Sequence, residues 1–97
     1  MTINKTQNEK KVVLSLEGRL DTTTAPDLEK EILNLGDVEE LSIDCAKLDY
    51  ISSAGLRVFL TAHKTFSKKS GMTVVNVSDA IMDIFEVTGF KEILTIQ

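Results

Sequence analysis

The sequence predicts an α/β fold: a single domain over residues 1–97, with helices packed on a mixed, mostly parallel sheet of four to five strands. Three observations support this fold class. Short stretches of alternating apolar residues, such as KVVLSLEG at 11–18, are typical of strands. Helical patterns separate the later strands, and strands that alternate with helices require parallel pairing. Only the short polar turn NEK, at 8–10, separates the first two strands (2–7 and 11–18), so these should form an antiparallel hairpin.

The first helix is expected within GRLDTTTAPDLEKEILNLG, residues 18–36. Thr24 suits the N-cap position, because a threonine hydroxyl accepts a backbone N–H from the first turn. Pro26 then falls in that turn, where its missing N–H does no harm. Asp27 adds a negative charge that the helix dipole favours, and Gly36 is expected to end the helix.

A second strand–helix unit follows. VEELSIDC at 38–45 is a predicted strand, with Leu41, Ile43 and Cys45 on one face. AKLDYISS at 46–53 is a predicted loop with apolar anchors. The next predicted helix covers residues 54–69, where apolar side chains recur at helical spacing.

The rest of the chain is expected to complete the sheet. MTVVNV at 72–77 is an apolar strand, as expected at the centre of a sheet. A short helix should run between Ser78 as its cap and Gly89 as its end. EILTIQ at 92–97 is the last predicted strand, which gives the order β-β-α-β-α-β-α-β.

The composition excludes several functions. A net charge of −4 argues against binding nucleic acid, which needs a basic surface. One histidine and one cysteine do not make a metal site, and no metal or cofactor is expected. The single cysteine, Cys45, fits a reducing compartment and is expected to be a small buried residue. No apolar run is long enough to span a membrane, so a cytoplasmic protein without membrane insertion is expected.

An enzyme is not expected either. A serine nucleophile needs a base, and the only histidine, His63, follows Ser53 by ten residues. On one helix, a rise of about 1.5 Å per residue would separate the two side chains by roughly 15 Å. No glycine-rich phosphate loop and no G-x-S-x-G motif is present.

The stretch YISSAGLRVFL, at 50–60, attracts attention because two serines open an expected helix. One of them should cap the helix by accepting an N–H from its first turn. Gly55 is a poor helix former, and its presence suggests a helix start that is open to an approaching partner or phosphate. A helix N-terminus favours a dianion, so phosphorylation here would be tolerated, and the added charge permits a binding switch without establishing one.

Two segments resemble motifs of the STAS domains, specifically of the bacterial anti-sigma factor antagonists. GRLDTTTAPDLEKEI is similar to the early motif of the family, and LSIDCAKLDYISSAGLRVFL resembles its strand, Asp, loop, Ser and Gly-Leu helix motif. The resemblance covers nearly the whole chain and implies a STAS-like fold. It implies an antagonist that, when unphosphorylated, binds an anti-sigma factor that is also a serine kinase, and so releases a sigma factor. The kinase phosphorylates a serine at this helix start, and a metal-dependent serine phosphatase reverses the modification.

The resemblance also assigns individual positions. Alignment on Gly55-Leu56 puts the phosphoserine of the family at Ser53, with Ser52 as the alternative acceptor. Ser52 stands where the family commonly has Asp, and Ala54 where it commonly has Ser or Thr. The partner-binding residues implied are Asp21, Thr22, Ser52, Ser53, Ala54, Gly55, Leu56 and Arg57. The chain is expected to be a monomer or a weak dimer.

Other readings stay open. STAS domains also serve as accessory subunits of transporters or as signalling scaffolds, without sigma-factor control. Asp44 matches the acid that ends the third strand in the family, and its alternative role is a turn-forming carboxylate. An aspartyl phosphate at Asp44 is disfavoured, because a receiver domain needs an acidic pair after its first strand.

Overall fold

The computed structural model describes all residues from Met1 to Gln97 and contains one four-stranded sheet with the strand order β1-β2-β3-β4. The strands are β1 (Thr2–Asn8), β2 (Lys11–Leu20), β3 (Glu40–Ile51) and β4 (Gly71–Val75). The α-helices are α1 (Ala25–Leu33), α2 (Ser53–Phe66) and α3 (Asp79–Thr88). β1 pairs antiparallel with β2, while β2–β3 and β3–β4 are parallel. The predicted mixed, mostly parallel α/β sheet is therefore confirmed.

A single apolar core lies between the sheet and the helices. Alternate residues of β2 (Val12, Leu14 and Leu16) are buried, as the period of two in the sequence predicts. The rings of Phe59 on α2 and Phe85 on α3 lie 6.2 Å apart between their centroids, so these two helices share one face of the sheet. Cys45 is fully buried in this core, and burial together with the nearby Asp44 charge raises its thiol pKa to about 12.

β3 is longer than predicted, and the loop expected at 46–53 is wrong. The strand continues to Ile51, which pairs with Leu20 at the end of β2. Two register shifts against β2 break the simple alternation here, so Leu48 and Ile51 are both buried although they lie three residues apart. The extended β3 carries the chain directly to the start of α2.

Three other boundaries differ from the prediction. α1 ends at Leu33, before Gly36, because the chain turns at the C-cap Asn34 and buries Leu35. β4 is an edge strand of the sheet and not the central strand that the sequence predicts. The last predicted strand is reduced to one bridge between Ile96 and Val74, because residues 90–92 form a 3-10 helix. The predicted cap and end of α3 are confirmed: the Ser78 hydroxyl accepts the Ile81 N–H, and Gly89 is left-handed.

None of the helices is both long enough and apolar enough to cross a lipid bilayer.

Candidate functional site

The site lies where β3 passes into α2, beside the end of β2. The backbone N–H of Ser52 donates to the carbonyl of Leu20 at 2.8 Å and so fixes the start of α2 against β2. The carbonyl of Ser52 accepts the N–H of Leu56 at 2.9 Å and begins the helical hydrogen bonds. Ser53 is the first residue of α2 and is exposed.

The two serines have opposite environments. The Ser52 hydroxyl oxygen is buried and has no hydrogen-bond partner. Ser52 occupies the N-cap position, but its side chain accepts no N–H, so the predicted capping hydrogen bond is not made by either serine. The N–H groups of Ser53, Ala54 and Gly55 donate no hydrogen bond within the chain. The N-terminus of α2 therefore keeps unused donors beside an exposed hydroxyl.

The reason for Gly55 is close packing inside the domain, whereas the prediction assigned this glycine to access for a partner at the helix start. Gly55 is buried, and a Cβ atom there would lie 2.7–2.8 Å from side-chain atoms of Leu20 and 2.9 Å from Ile51. The glycine thus lets α2 approach the ends of β2 and β3. Leu56 is also buried, with 4% of its surface exposed. Neither residue presents an exposed side chain in the free chain, and their place among the partner-binding residues stays a prediction.

Asp21 organises the loop between β2 and α1. Its Oδ1 accepts the Thr23 hydroxyl at 2.7 Å, the Thr23 N–H at 3.0 Å and the Thr24 N–H at 3.3 Å. These hydrogen bonds, those of Thr23 first, hold the pKa of the Asp21 carboxyl below its ordinary value. Asp21 follows Leu20, whose carbonyl binds Ser52, so the ionised carboxylate belongs to the same end of the sheet.

Thr24 is the N-cap residue of α1, but its side chain does not cap the helix as predicted. Its hydroxyl instead accepts the Asp21 N–H and donates to the Arg19 carbonyl, both at 2.8 Å. Arg19 lies with its guanidinium carbon 4.4 Å from the centre of the Tyr50 ring and its Nε 3.9 Å from Asp21 Oδ2. The loop is thus held by its own polar groups.

A shallow cleft of about 170 Å³ lies between the first turns of α1 and α2. It brings together three of the predicted site residues, Thr22, Ala54 and Arg57. Glu29 of α1 also lines this cleft, although sequence reasoning did not select it. Only the packing of α1 against α2 makes that placement visible.

Asp44 is remote from this site. It lies seven residues before the end of β3, roughly 20 Å along the strand from Ile51. Its Oδ1 accepts the Ala46 N–H at 2.9 Å and the Asn76 amide at 3.1 Å. Asp44 therefore secures the chain where β4 ends, in agreement with a structural carboxylate. No group of three or more His, Cys, Asp or Glu side chains is placed to hold a metal ion.

With this geometry established, comparison with known proteins identifies the family. The family model described as STAS domain matches residues 2–97. The chain belongs to the STAS domain family. Among curated relatives, the anti-sigma-B factor antagonist of Bacillus subtilis is 29% identical over 99% of this chain and 90% of its own length. The protein of the same name from Listeria monocytogenes is 36% identical over 82% of this chain and 73% of its own.

Solved structures agree on the fold. An anti-sigma factor antagonist from Mycobacterium paratuberculosis has a TM-score of 0.86 and 25% identity, covering 98% of this chain and 83% of that one. SpoIIAA in its phosphorylated form has a TM-score of 0.76 at 18% identity, covering 99% of this chain and 91% of that one. The second likeness concerns the fold alone. The predicted STAS membership and fold are thus confirmed.

Proposed function

We propose that this STAS domain is an anti-sigma factor antagonist whose binding to an anti-sigma factor is ended by phosphorylation of Ser53. In this proposal the anti-sigma factor is also the serine kinase, and binding to the unphosphorylated chain releases a sigma factor. A metal-dependent serine phosphatase restores the active form. The observation that carries the proposal is an exposed Ser53 on the uncapped N-terminus of α2, in a chain whose curated relatives are named antagonists.

Exposure favours Ser53 over Ser52 as the acceptor. A kinase must bring the γ-phosphate of ATP in line with the attacking hydroxyl, so that oxygen must be reachable. The Ser53 side chain meets this condition, whereas the Ser52 hydroxyl oxygen is buried. Phosphorylation of Ser52 would require its hydroxyl to leave this buried position at the junction with Leu20.

The local charges explain how a phosphate would act as a switch. The unphosphorylated surface presents small or polar groups, namely Thr22, Ser53 and Ala54, beside the opposite charges of Arg57 and Glu29. A phosphate adds a charge of about −1.5 to −2 at pH 7. The free N–H groups of α2 stabilise it within the chain, so the domain stays folded. A partner surface that fitted the uncharged hydroxyl is repelled or sterically excluded.

The fold supports the expectation that a phosphorylated domain stays folded. SpoIIAA, a protein with the same fold, has been solved both with and without phosphorylation. The relatives named anti-sigma-B factor antagonist support the class of partner. Nothing in the site favours an enzyme, so a binding module is proposed.

Calorimetry with the candidate anti-sigma factor kinase from the same genome tests the proposal. The unmodified chain should bind, and a chain with phosphoserine encoded at position 53 should bind at least about tenfold more weakly, because like charges in an interface are costly. The matched control carries phosphoserine at Ser67, an exposed serine at the other end of α2, and should bind like the unmodified chain. Equal binding by all three chains would contradict the switch. Binding only to a transporter subunit or scaffold would instead support the other role known for STAS domains.

A further inference from the structure

Arg57 occupies a special position relative to Ser53. It lies four residues further along α2, so the two side chains are neighbours on one face of the helix. In a helix the Cα–Cβ bonds tilt toward the N-terminus, and a long side chain at position 57 therefore reaches back toward residue 53. Arg57 is the only charged residue among the first eight of α2.

The Arg57 guanidinium is available. Arg57 is exposed and forms no ion pair, although Glu29 of α1 lines the same cleft. The other arginine of the chain, Arg19, already stacks on Tyr50 and lies near Asp21. A phosphate on Ser53 would thus find the free N–H groups of the first turn on one side and an unpaired guanidinium on the other.

We propose that Arg57 couples the phosphate on Ser53 to partner binding: it binds the phosphate within the chain and is thereby withdrawn from a carboxylate of the partner. The guanidinium is suited to either partner, because its planar group of N–H donors can form bidentate hydrogen bonds to both phosphate and carboxylate oxygens. Phosphate, with the larger charge and no translational freedom to lose, takes the guanidinium. This inference rests on the proposed function for the identity of the partner, but its first half concerns the chain alone.

The first half is tested without any kinase or partner. Phosphoserine is encoded at position 53, and the second pKa of the phosphate, about 6 when unperturbed, is measured by ³¹P NMR titration. The Arg57→Gln variant should raise this pKa by about 0.3–0.7 unit relative to the phosphorylated parent, the range expected for a charge-assisted i, i+4 pair. Arg57→Lys should give an intermediate value. Lys64→Gln removes the same charge from an exposed position later on α2 and should leave the pKa unchanged.

The outcomes distinguish phosphate binding by Arg57 from the role of Arg57 in partner binding. An equal pKa in the parent and Arg57→Gln overturns the inference, as does an equal shift in Arg57→Gln and Lys64→Gln, which would mean only a general effect of net charge. In the second half, unphosphorylated Arg57→Gln should bind the anti-sigma factor about tenfold more weakly than the parent. Equal binding by that variant overturns the withdrawal from the partner. If the parent itself binds no such factor, the proposed function fails while the titration still decides whether Arg57 holds the phosphate.

Discussion

Substitution of Gly55 by alanine tests whether close packing, and not access for a partner, explains the glycine at the start of α2. The new Cβ would lie 2.7 and 2.8 Å from Leu20 Cγ and Cδ2 and 2.9 Å from Ile51 Cγ1. Leu20 and Ile51 are 0% and 1% exposed, so neither has free space to move into. Either these side chains leave their rotamers or the first turn of α2 moves away from the sheet.

The expected magnitude follows from two opposing effects. Forcing an extra methyl group into a packed core costs about 1–3 kcal/mol. Alanine is the better helix former and recovers up to about 1 kcal/mol. Gly55→Ala should therefore lower the free energy of unfolding by about 1–2 kcal/mol. In a domain of this size, each kcal/mol corresponds to a fall in Tm of about 4–8 °C.

Urea unfolding followed by circular dichroism measures this change, with Ser53→Ala as the control. Ser53 is exposed and makes no side-chain hydrogen bond, so its substitution should change the unfolding free energy by less than about 0.5 kcal/mol. A Gly55→Ala protein as stable as the parent, or more stable, would refute the packing argument, since helix propensity alone predicts a gain.

Three further predictions follow from the structure. In urea unfolding, Ser52→Ala should lower the free energy of unfolding by less than about 0.5 kcal/mol, because the Ser52 hydroxyl makes no hydrogen bond. Ser78→Ala should lower it by about 1 kcal/mol, because this substitution removes the hydrogen bond that caps α3. Cys45 should not react with a thiol reagent at pH 8 until the domain unfolds, because burial raises its pKa to about 12; the absorbance of the released thiolate reports the rate. The pKa of Asp21 in the folded chain should lie below its ordinary value of 3.8, as measured by NMR titration. The ionised Asp21 carboxylate then contributes fully to the free energy of unfolding above pH 3.8. This contribution is lost as the pH falls through the lower pKa of the folded chain.

Each of these three has a contradicting result. Equal costs for Ser52→Ala and Ser78→Ala would mean that Ser52 does cap α2 in solution. Rapid labelling of Cys45 under native conditions would contradict its burial in the core. An Asp21 pKa at or above 3.8 would mean that the hydrogen bonds from Thr23 and Thr24 are not maintained.

The elements that could be predicted are those whose side chains follow a single period. β2 alternates without interruption from Val12 to Leu16, and α3 carries both a cap at Ser78 and a glycine at its end. The second half of β3 could not be recognised, because its register shifts against β2 place buried residues three apart, which resembles neither a strand nor a helix. The position of β4 at the edge of the sheet could not be predicted from the sequence either, because an edge strand that is covered by helices can be as apolar as a central strand.

The candidate site could likewise be predicted only in part from the sequence. The motif indicated that Ser52 and Ser53 open a helix, but it does not show which hydroxyl faces solvent, because that depends on how Leu20 holds the Ser52 backbone. The sequence suggests at Gly55 a helix start that is open to a partner, whereas the reason for the glycine lies in side chains 35 and four residues away, at Leu20 and Ile51. The cleft that joins Thr22 to Arg57 exists only after α1 and α2 pack together.

The central claim is that Ser53 is the acceptor of the phosphate that controls partner binding. The most direct measurement incubates the chain with the candidate anti-sigma factor kinase and ATP, followed by intact and peptide mass spectrometry on the parent, Ser53→Ala and Ser52→Ala. One phosphate on the peptide that contains residues 50–60 is expected in the parent and in Ser52→Ala, and none in Ser53→Ala. A phosphate that persists in Ser53→Ala, or its loss in Ser52→Ala alone, would contradict the account.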